Sequence, residues 1–292
     1  MKPLPFRSNP DLIEELTEQI SDDPELKDFF IKHDIRYEII QSNLNALLIY
    51  QNERDYCAPC QGLDECKQDV RGHKPVLKFE DNQIRLLYQA CDYELEAEKK
   101  RAHQARIHAL YMPKMIYEAR LSDFHLNTQL RKDLYHKIMH IMNQFKLKEP
   151  VKGLYLYGPY QQGKTYTLGA IANHCSQLGK DVLITYYPDL VRELKSSIRE
   201  GSLESRVQTL KEVDILLLDD IGGDALNEWI RDEVLGPILQ HRLLDQLPTF
   251  FSSNLSLDDL AKTLASGTQQ SDLIKGYRIV ERIRALTESF KM

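Results

Sequence analysis

The residues best placed to do chemistry are Gly158-Pro159-Tyr160-Gln161-Gln162-Gly163-Lys164-Thr165, which read G-x-x-x-x-G-K-T. In a loop of this kind, backbone N–H groups at a helix N-terminus face the β- and γ-phosphates of a nucleotide. Lys164 would neutralise the β/γ oxygens and the Thr165 hydroxyl would bind Mg²⁺. A Gly-rich turn with a surface lysine could have the same letters. Here, however, an apolar run, Gly153–Tyr157, precedes the loop, and Tyr166 and the apolar positions to Ala172 follow at helical spacing. Strand, loop and helix supply the context that gives the pattern a mechanism.

A second constellation closes the apolar run Val213–Leu218 with Asp219 and Asp220. Asp219 would reach the Mg²⁺ beside Thr165, and Asp220 would orient or deprotonate the attacking water. A third, Ser253-Asn254, ends the run Pro248–Ser252. The Asn254 amide could hydrogen-bond a γ-phosphate or the water, or it could serve the turn before a helix at 256–264. Arg278 and Arg282 are i and i+4 on a basic helix expected over 275–290, so they share a face. A guanidinium there suits contact with the γ-phosphate of a neighbouring subunit, whereas Arg284 points elsewhere.

The fourth constellation is Cys57-Ala58-Pro59-Cys60, followed by Cys66, His73 and Cys91. C-x-x-C lets two thiolates reach one metal, and Zn²⁺ completes a tetrahedron with two more S or N ligands. Spacing does not fix which four of the five bind. His73 lies in a stretch, 71–75, expected to turn, and Cys91 ends an expected strand, 84–90. The alternatives are a set of unconnected buried thiols and a redox pair, the latter disfavoured because no βαβ pattern surrounds it.

The elements that must position these residues fall into two patterns. Residues 1–56 read as short helices, with Asn9-Pro10 and Ser21–Pro24 as start signals. Residues 92–112, dense in charge, read as a solvated helix on which His103 and His108 are surface residues. From Pro113 onward helices alternate with short apolar strands, the pattern of an α/β fold with a parallel sheet. A helix is expected over 129–145, a strand over 181–186, helices over 188–199 and 202–211, and a long helix over 225–244 that packs Trp229. The resulting division is 1–95, mostly helical and zinc-binding; 96–125, a charged helical linker; and 126–292, the ATPase domain.

The chain has 292 residues, 42% hydrophobic and 28% charged, with net charge −6. That length suits two domains, and the acidic balance limits any nucleic-acid contact to a local groove. Within 188–211, Lys195, Arg199 and Arg206 are the candidates for such a contact, set against a merely solvated helix. No apolar run approaches a membrane span, the N-terminus lacks a signal-peptide core, and clustered cysteines suit a reducing compartment, so a cytoplasmic, membrane-free protein is expected.

With these residues assembled, the chain resembles the bacterial DnaI primosomal helicase-loader family of the AAA+ class over nearly its whole length. The carrying stretches are Gly153–Thr165, Tyr187–Lys195, Leu216–Gly222, Trp229–Val234, Gln240–Arg242 and Leu247–Asn254. The resemblance implies an AAA+ P-loop domain that binds ATP/ADP with Mg²⁺ and contacts single-stranded DNA. It also implies an N-terminal zinc domain that engages the hexameric replicative helicase among other primosome proteins. Carried over by position, the zinc ligands fall on Cys57, Cys60, His73 and Cys91, sensor 1 on Asn254, and the arginine finger on Arg282, with Arg278 second. Gln161 stands where the family has glycine, and glycine suits backbone angles that a side chain resists. The chain stops at Met292, short of the family's arginine-containing tail, so no sensor 2 residue is assigned. The expected function is ATP-dependent loading of the helicase on single-stranded DNA, with ATPase domains associating in the complex. The alternatives are a transposition-type AAA+ remodeller, which would lack the N-terminal zinc domain, and an adaptor that binds nucleotide with little turnover.

Overall fold

In the computed structural model, which describes residues 10–147, 149–223, 228–265 and 270–292, the chain divides into two units at Lys100/Arg101. The N-terminal unit opens with α1 (Pro10–Asp22), α2 (Pro24–Lys32), α3 (Tyr37–Ser42) and α4 (Leu44–Cys57). Their apolar faces meet around Ile20, Leu26, Phe30, Leu44 and Leu47. Asp23 ties the bundle: its carboxylate caps α2 by accepting from the Glu25 and Leu26 N–H groups, and it receives both Nη atoms of Arg54 at 2.9 and 2.7 Å. The start signal at 21–24 therefore works as expected, while Asn9 lies outside the described residues.

A hairpin follows, β1 (His73–Glu80) and β2 (Gln83–Ala90), paired from Glu80↔Gln83 to His73↔Ala90. Asp81 and Asn82 form its two-residue turn, both with positive φ, as such turns require. His73 thus opens a strand and only Arg71 and Gly72 turn. Ile84 of β2 joins the helical core.

The helix expected over 92–112 is shorter. α5 (Asp92–Ala105) ends early, and β3 (Ile107–Leu110) pairs in parallel with β5 (Val182–Tyr186). Hydrogen bonding favours an edge strand here, because β5 offers an open row of backbone groups to the β-branched Ile107. His103 is not simply a surface residue: its Nε2 lies 2.8 Å from the Asn173 carbonyl oxygen.

The remaining elements are α6 (Gln129–Leu147), β4 (Gly153–Tyr157), α7 (Lys164–Gln177), α8 (Tyr187–Glu200), α9 (Leu203–Glu212), β6 (Ile215–Asp219), α10 (Gly236–Leu244), β7 (Thr249–Ser253), α11 (Leu257–Leu264), α12 (Gln270–Leu286) and β8 (Thr287–Lys291). They build a six-stranded sheet in the order β3-β5-β6-β7-β4-β8, every neighbour parallel. One face packs on α6, α7 and the 116–124 segment through Leu154, Leu156, Leu217 and Phe250; the other packs on α8 to α12 through Tyr155, Leu216, Leu218 and Phe251. The strands are buried on both faces, as a parallel sheet demands.

Two expected helices change form. Within 225–244, residues 224–227 lie outside the described residues, Ile230–Leu235 form a π-helical turn, and α10 begins only at Gly236. Pro237 has no N–H to give the preceding turn, which is a local reason for the irregularity. The helix expected over 275–290 stops at Leu286, and the last residues become β8 beside β4. Trp229 packs against the core, as expected.

Candidate active site

β4 lies between β7 and β8, yet the chain leaving it crosses through α7 to β5, two strands beyond β7. That crossover opens a crevice at the carboxyl ends of β4, β7 and β6, the place where ligands bind in sheets of this kind. Gly158–Gly163 sits there, and α7 starts at Lys164. Gly163 has φ 88°, a backbone state that glycine enters without a Cβ clash. Gln161 occupies the same left-handed region at φ 63°, so a side chain does stand where the loop needs a glycine-like angle.

Lys164 is buried to 8% exposure. Its ammonium donates to the carbonyl oxygens of Gly158 (2.8 Å) and Pro159 (2.6 Å) and to Asn254 Oδ1 (2.9 Å). Burial pulls its pKa below the usual lysine value, against the opposing pull of Asp220 and Asp219. Thr165 Oγ1 donates to the Asp219 carboxylate at 2.9 and 3.1 Å. The two residues read from sequence as Mg²⁺ ligands are therefore adjacent, one at the start of a helix and one at the end of a strand.

Asp219 is 4% exposed. Burial pushes its carboxyl above the usual range, while hydrogen bonds from Ser252 and Thr165 act the other way. Asp220 accepts from Asn254 Nδ2 at 3.0 Å. Asn254 thus touches both the P-loop lysine and the second acid from the bend that precedes α11. Ser256, not Asn254, caps α11.

Several partners escaped the sequence. Ser252 Oγ donates to Asp219 and accepts the Asp220 N–H at 2.9 Å, and Ser253 Oγ donates to the Ile221 carbonyl at 2.6 Å. A serine pair at the end of a strand beside the acid pair was the available signal. Beside the loop, Ser122, Asp123, Phe124, His125 and Arg131 join Gly163, Tyr166 and Thr167 around a cavity of about 530 Å³. Phe124 lies 5.9 Å from the Tyr166 ring, and Tyr166 lines this cavity together with the P-loop residue Gly163. Nothing in the local pattern at 122–131 announced that.

Arg282 is held within its own unit, where its Nε donates to Gln240 Oε1 on α10 at 2.9 Å. Arg278 is exposed on the same helix. Of the DNA candidates, Arg206 is ion-paired with Glu193 within its own unit, which weakens its claim to a phosphate. Lys195 and Arg199 are exposed on α8.

In the N-terminal unit the five metal candidates are not gathered. Among the described residues no group of three or more His, Cys, Asp or Glu side chains lies at metal-binding distance. Cys57 Sγ accepts from Gln68 Nε2 at 3.1 Å, Cys60 Sγ donates to the Gly62 carbonyl at 3.2 Å, and Cys66 Sγ accepts the Gly72 N–H at 3.3 Å. His73 Nδ1 lies 3.2 Å from the Arg71 carbonyl oxygen. The donor types suit Zn²⁺, but the donor positions do not form its tetrahedron in this arrangement.

A P-loop, a strand-end acid pair and a neighbouring strand-end amide on a parallel sheet of this order define a P-loop nucleotide-binding protein with an AAA+ fold. Residues 80–280 match the family of IstB-like ATP binding proteins, and residues 6–88 match the primosomal protein DnaI N-terminus. The replicative helicase loader DnaI of Bacillus subtilis is 30% identical over 283 residues, 96% of this chain and 91% of that protein. The replicative helicase loader DnaC of Escherichia coli is 27% identical over 42% of this chain and 46% of its own length. A crystal structure of DnaI superposes with TM-score 0.59 at 38% identity, over 64% of this chain and 97% of that one. The chain belongs to the DnaI family.

Proposed function

We propose that this protein loads a replicative helicase hexamer onto single-stranded DNA, driven by ATP binding and hydrolysis. The observation that supports the reading is the mutual contact of Lys164, Thr165, Asp219, Asp220 and Asn254 beside the P-loop, in a chain that aligns over 96% of its length with a replicative helicase loader. The match of residues 6–88 to the DnaI N-terminus favours this over a transposition-type remodeller.

In this mechanism the Gly158–Thr165 backbone and Lys164 hold the β- and γ-phosphates of ATP. Thr165 and Asp219 would hold Mg²⁺, which supplies charge neutralisation of the phosphate oxygens. Asp220 accepts the proton of the attacking water, and Asn254 fixes both Asp220 and the lysine that meets the γ-phosphate. Arg282 or Arg278 of a neighbouring subunit would complete the site, so turnover follows assembly. The N-terminal unit engages the helicase, other primosome proteins join the complex, and Lys195 and Arg199 on α8 contact the DNA backbone. Work in the cytoplasm fits such partners, and among the described residues no helix is long and apolar enough to cross a membrane.

Zinc binding by Cys57, Cys60, His73 and Cys91 belongs to the same proposal. Its support is donor chemistry plus the backbone bond that brings Cys91 to Gly72 (2.8 Å), beside His73. Metal analysis of the purified chain tests it: one equivalent of zinc lost in Cys57→Ser with Cys60→Ser is expected, and zinc retained by that variant contradicts the ligand set.

The function is tested by mixing the chain with its host's replicative helicase and single-stranded DNA while following complex mass and phosphate release. A ring-sized complex with ATP turnover is expected. A complex without turnover would favour the adaptor, and no complex would remove helicase loading.

A further inference from the structure

We propose that Tyr186 is a positioning residue for Asp220, holding the carboxylate in the orientation that receives the proton of the attacking water. The inference rests on the reading of Asp220 as the base, but its contact can be tested separately.

Tyr186 is the last residue of β5 and is in register with Asp219 on β6. Its phenol donates to Asp220 Oδ2 at 3.3 Å, while Asn254 Nδ2 donates to Oδ1 at 3.0 Å. The two donors come from strands on opposite sides of β6, so the carboxylate is gripped from both flanks. A third side is closed by Gly223, where an added Cβ would stand 2.5 Å from Oδ2. The Asp220 backbone is also fixed, with φ 61° and its N–H on Ser252 Oγ.

An aspartate side chain has two soft torsions, and χ2 of a carboxylate is broad. One donor leaves rotation about the remaining bond; two donors on different oxygens stop it. Each oxygen keeps a second lone pair for the water. The phenol is itself well anchored, because the next residue, Tyr187, is buried in the apolar core under α8 with Leu190, Leu194 and Val234. The strand end and the helix start are thus pinned on either side of the hydroxyl.

The test uses the full chain with helicase and single-stranded DNA, comparing Tyr186→Phe with the native protein. The expected result is a kcat lower by about tenfold with nucleotide Kd changed by less than about twofold, since the phenol touches the base and not the phosphates. In a chain already carrying Asp220→Asn, Tyr186→Phe should change kcat by less than about twofold, because the residue acts only through Asp220. Equal losses in both backgrounds, or a loss in Kd alone, would overturn the proposal. A crystal structure of Tyr186→Phe with ADP gives a second readout: the Asp220 carboxylate should leave its native rotamer, and an unmoved rotamer would overturn the proposal. Absence of turnover in the native chain would instead remove Asp220 as the base, and the rotamer would still decide the Tyr186 contact.

Discussion

At the scale of single residues, the site is a set of short polar contacts in a place with little water. Lys164 is the centre: it is almost fully buried and is held by two loop carbonyls and Asn254. A charged amine in that position has no solvent to fall back on, so its removal takes away the counter-charge for the phosphates. Lys164→Ala is expected to lose nucleotide binding by at least about a hundredfold while the chain stays folded. Titration with a fluorescent ADP analogue would check this, and an unchanged Kd would refute the P-loop assignment. Gln161 makes the opposite case. Its left-handed φ of 63° places a Cβ where glycine would be free of strain, at about 1–2 kcal/mol. Gln161→Gly should therefore raise thermal stability of the ATPase unit slightly, by about a degree or a few, and leave ATP affinity equal or better. A lower melting temperature would indicate that the Gln161 side chain contributes more than its backbone costs.

At the scale of elements, the joints between helices carry charge as well as apolar surface. Asp23 joins the end of α1, the cap of α2 and Arg54 on α4. The Arg54 guanidinium and the capped N–H groups hold its carboxyl well below the usual carboxylate range. A depressed folded-state pKa gives stability that is present above the unfolded carboxylate value of about 4 and is lost as pH falls toward the folded value. The N-terminal unit should therefore lose stability on acidification below about pH 4. In Asp23→Asn that acid-dependent loss should shrink, with a lower stability at neutral pH. Denaturant melts at pH 7 and pH 3 would test it, and an identical pH dependence in both chains would contradict the assignment. In the ATPase unit, Arg242 plays a similar joining part, mainly through backbone carbonyls. It is fully buried, donates to Thr249 Oγ1 and to carbonyls of Leu210, Val213 and Pro248, and burial lowers its pKa to about 9. It ties the end of α9 to the starts of β6 and β7, the strands that deliver Asp219 and Asn254.

At the scale of the whole molecule, the proposed site draws Lys164, Thr165, Asp219, Asp220 and Asn254 from one chain, and the proposed mechanism takes a cation for the γ-phosphate from a neighbour. Arg282 is bound to Gln240 of its own α10, and its proposed reach into a neighbour's site depends on assembly. Arg282→Ala should keep nucleotide affinity in the isolated chain and reduce turnover in the helicase complex by about a thousandfold. Retention of full turnover would move the role to Arg278 or to the partner. The P-loop and the Asp219-Asp220 pair were legible in the sequence because each is local: fixed spacing, one element end, a small set of residue types. So was the parallel α/β sheet, since strands buried on both faces read as apolar runs. The donors between Cys57 and Cys91 were read as one metal set, but among the described residues the fold does not gather them. Four things came only from the tertiary structure. The edge strand β3 and the terminal strand β8 depend on an open neighbour, which no local pattern describes. The contacts of Ser252 and Tyr186 with the acid pair join residues more than thirty positions apart. The cavity at 122–131 beside Tyr166 exists because chain far from the loop folds back to it. Spacing along a helix or strand fixes what one element can present; which elements meet is decided by burial and hydrogen bonding across the sheet, a global minimum that short-range sequence does not encode.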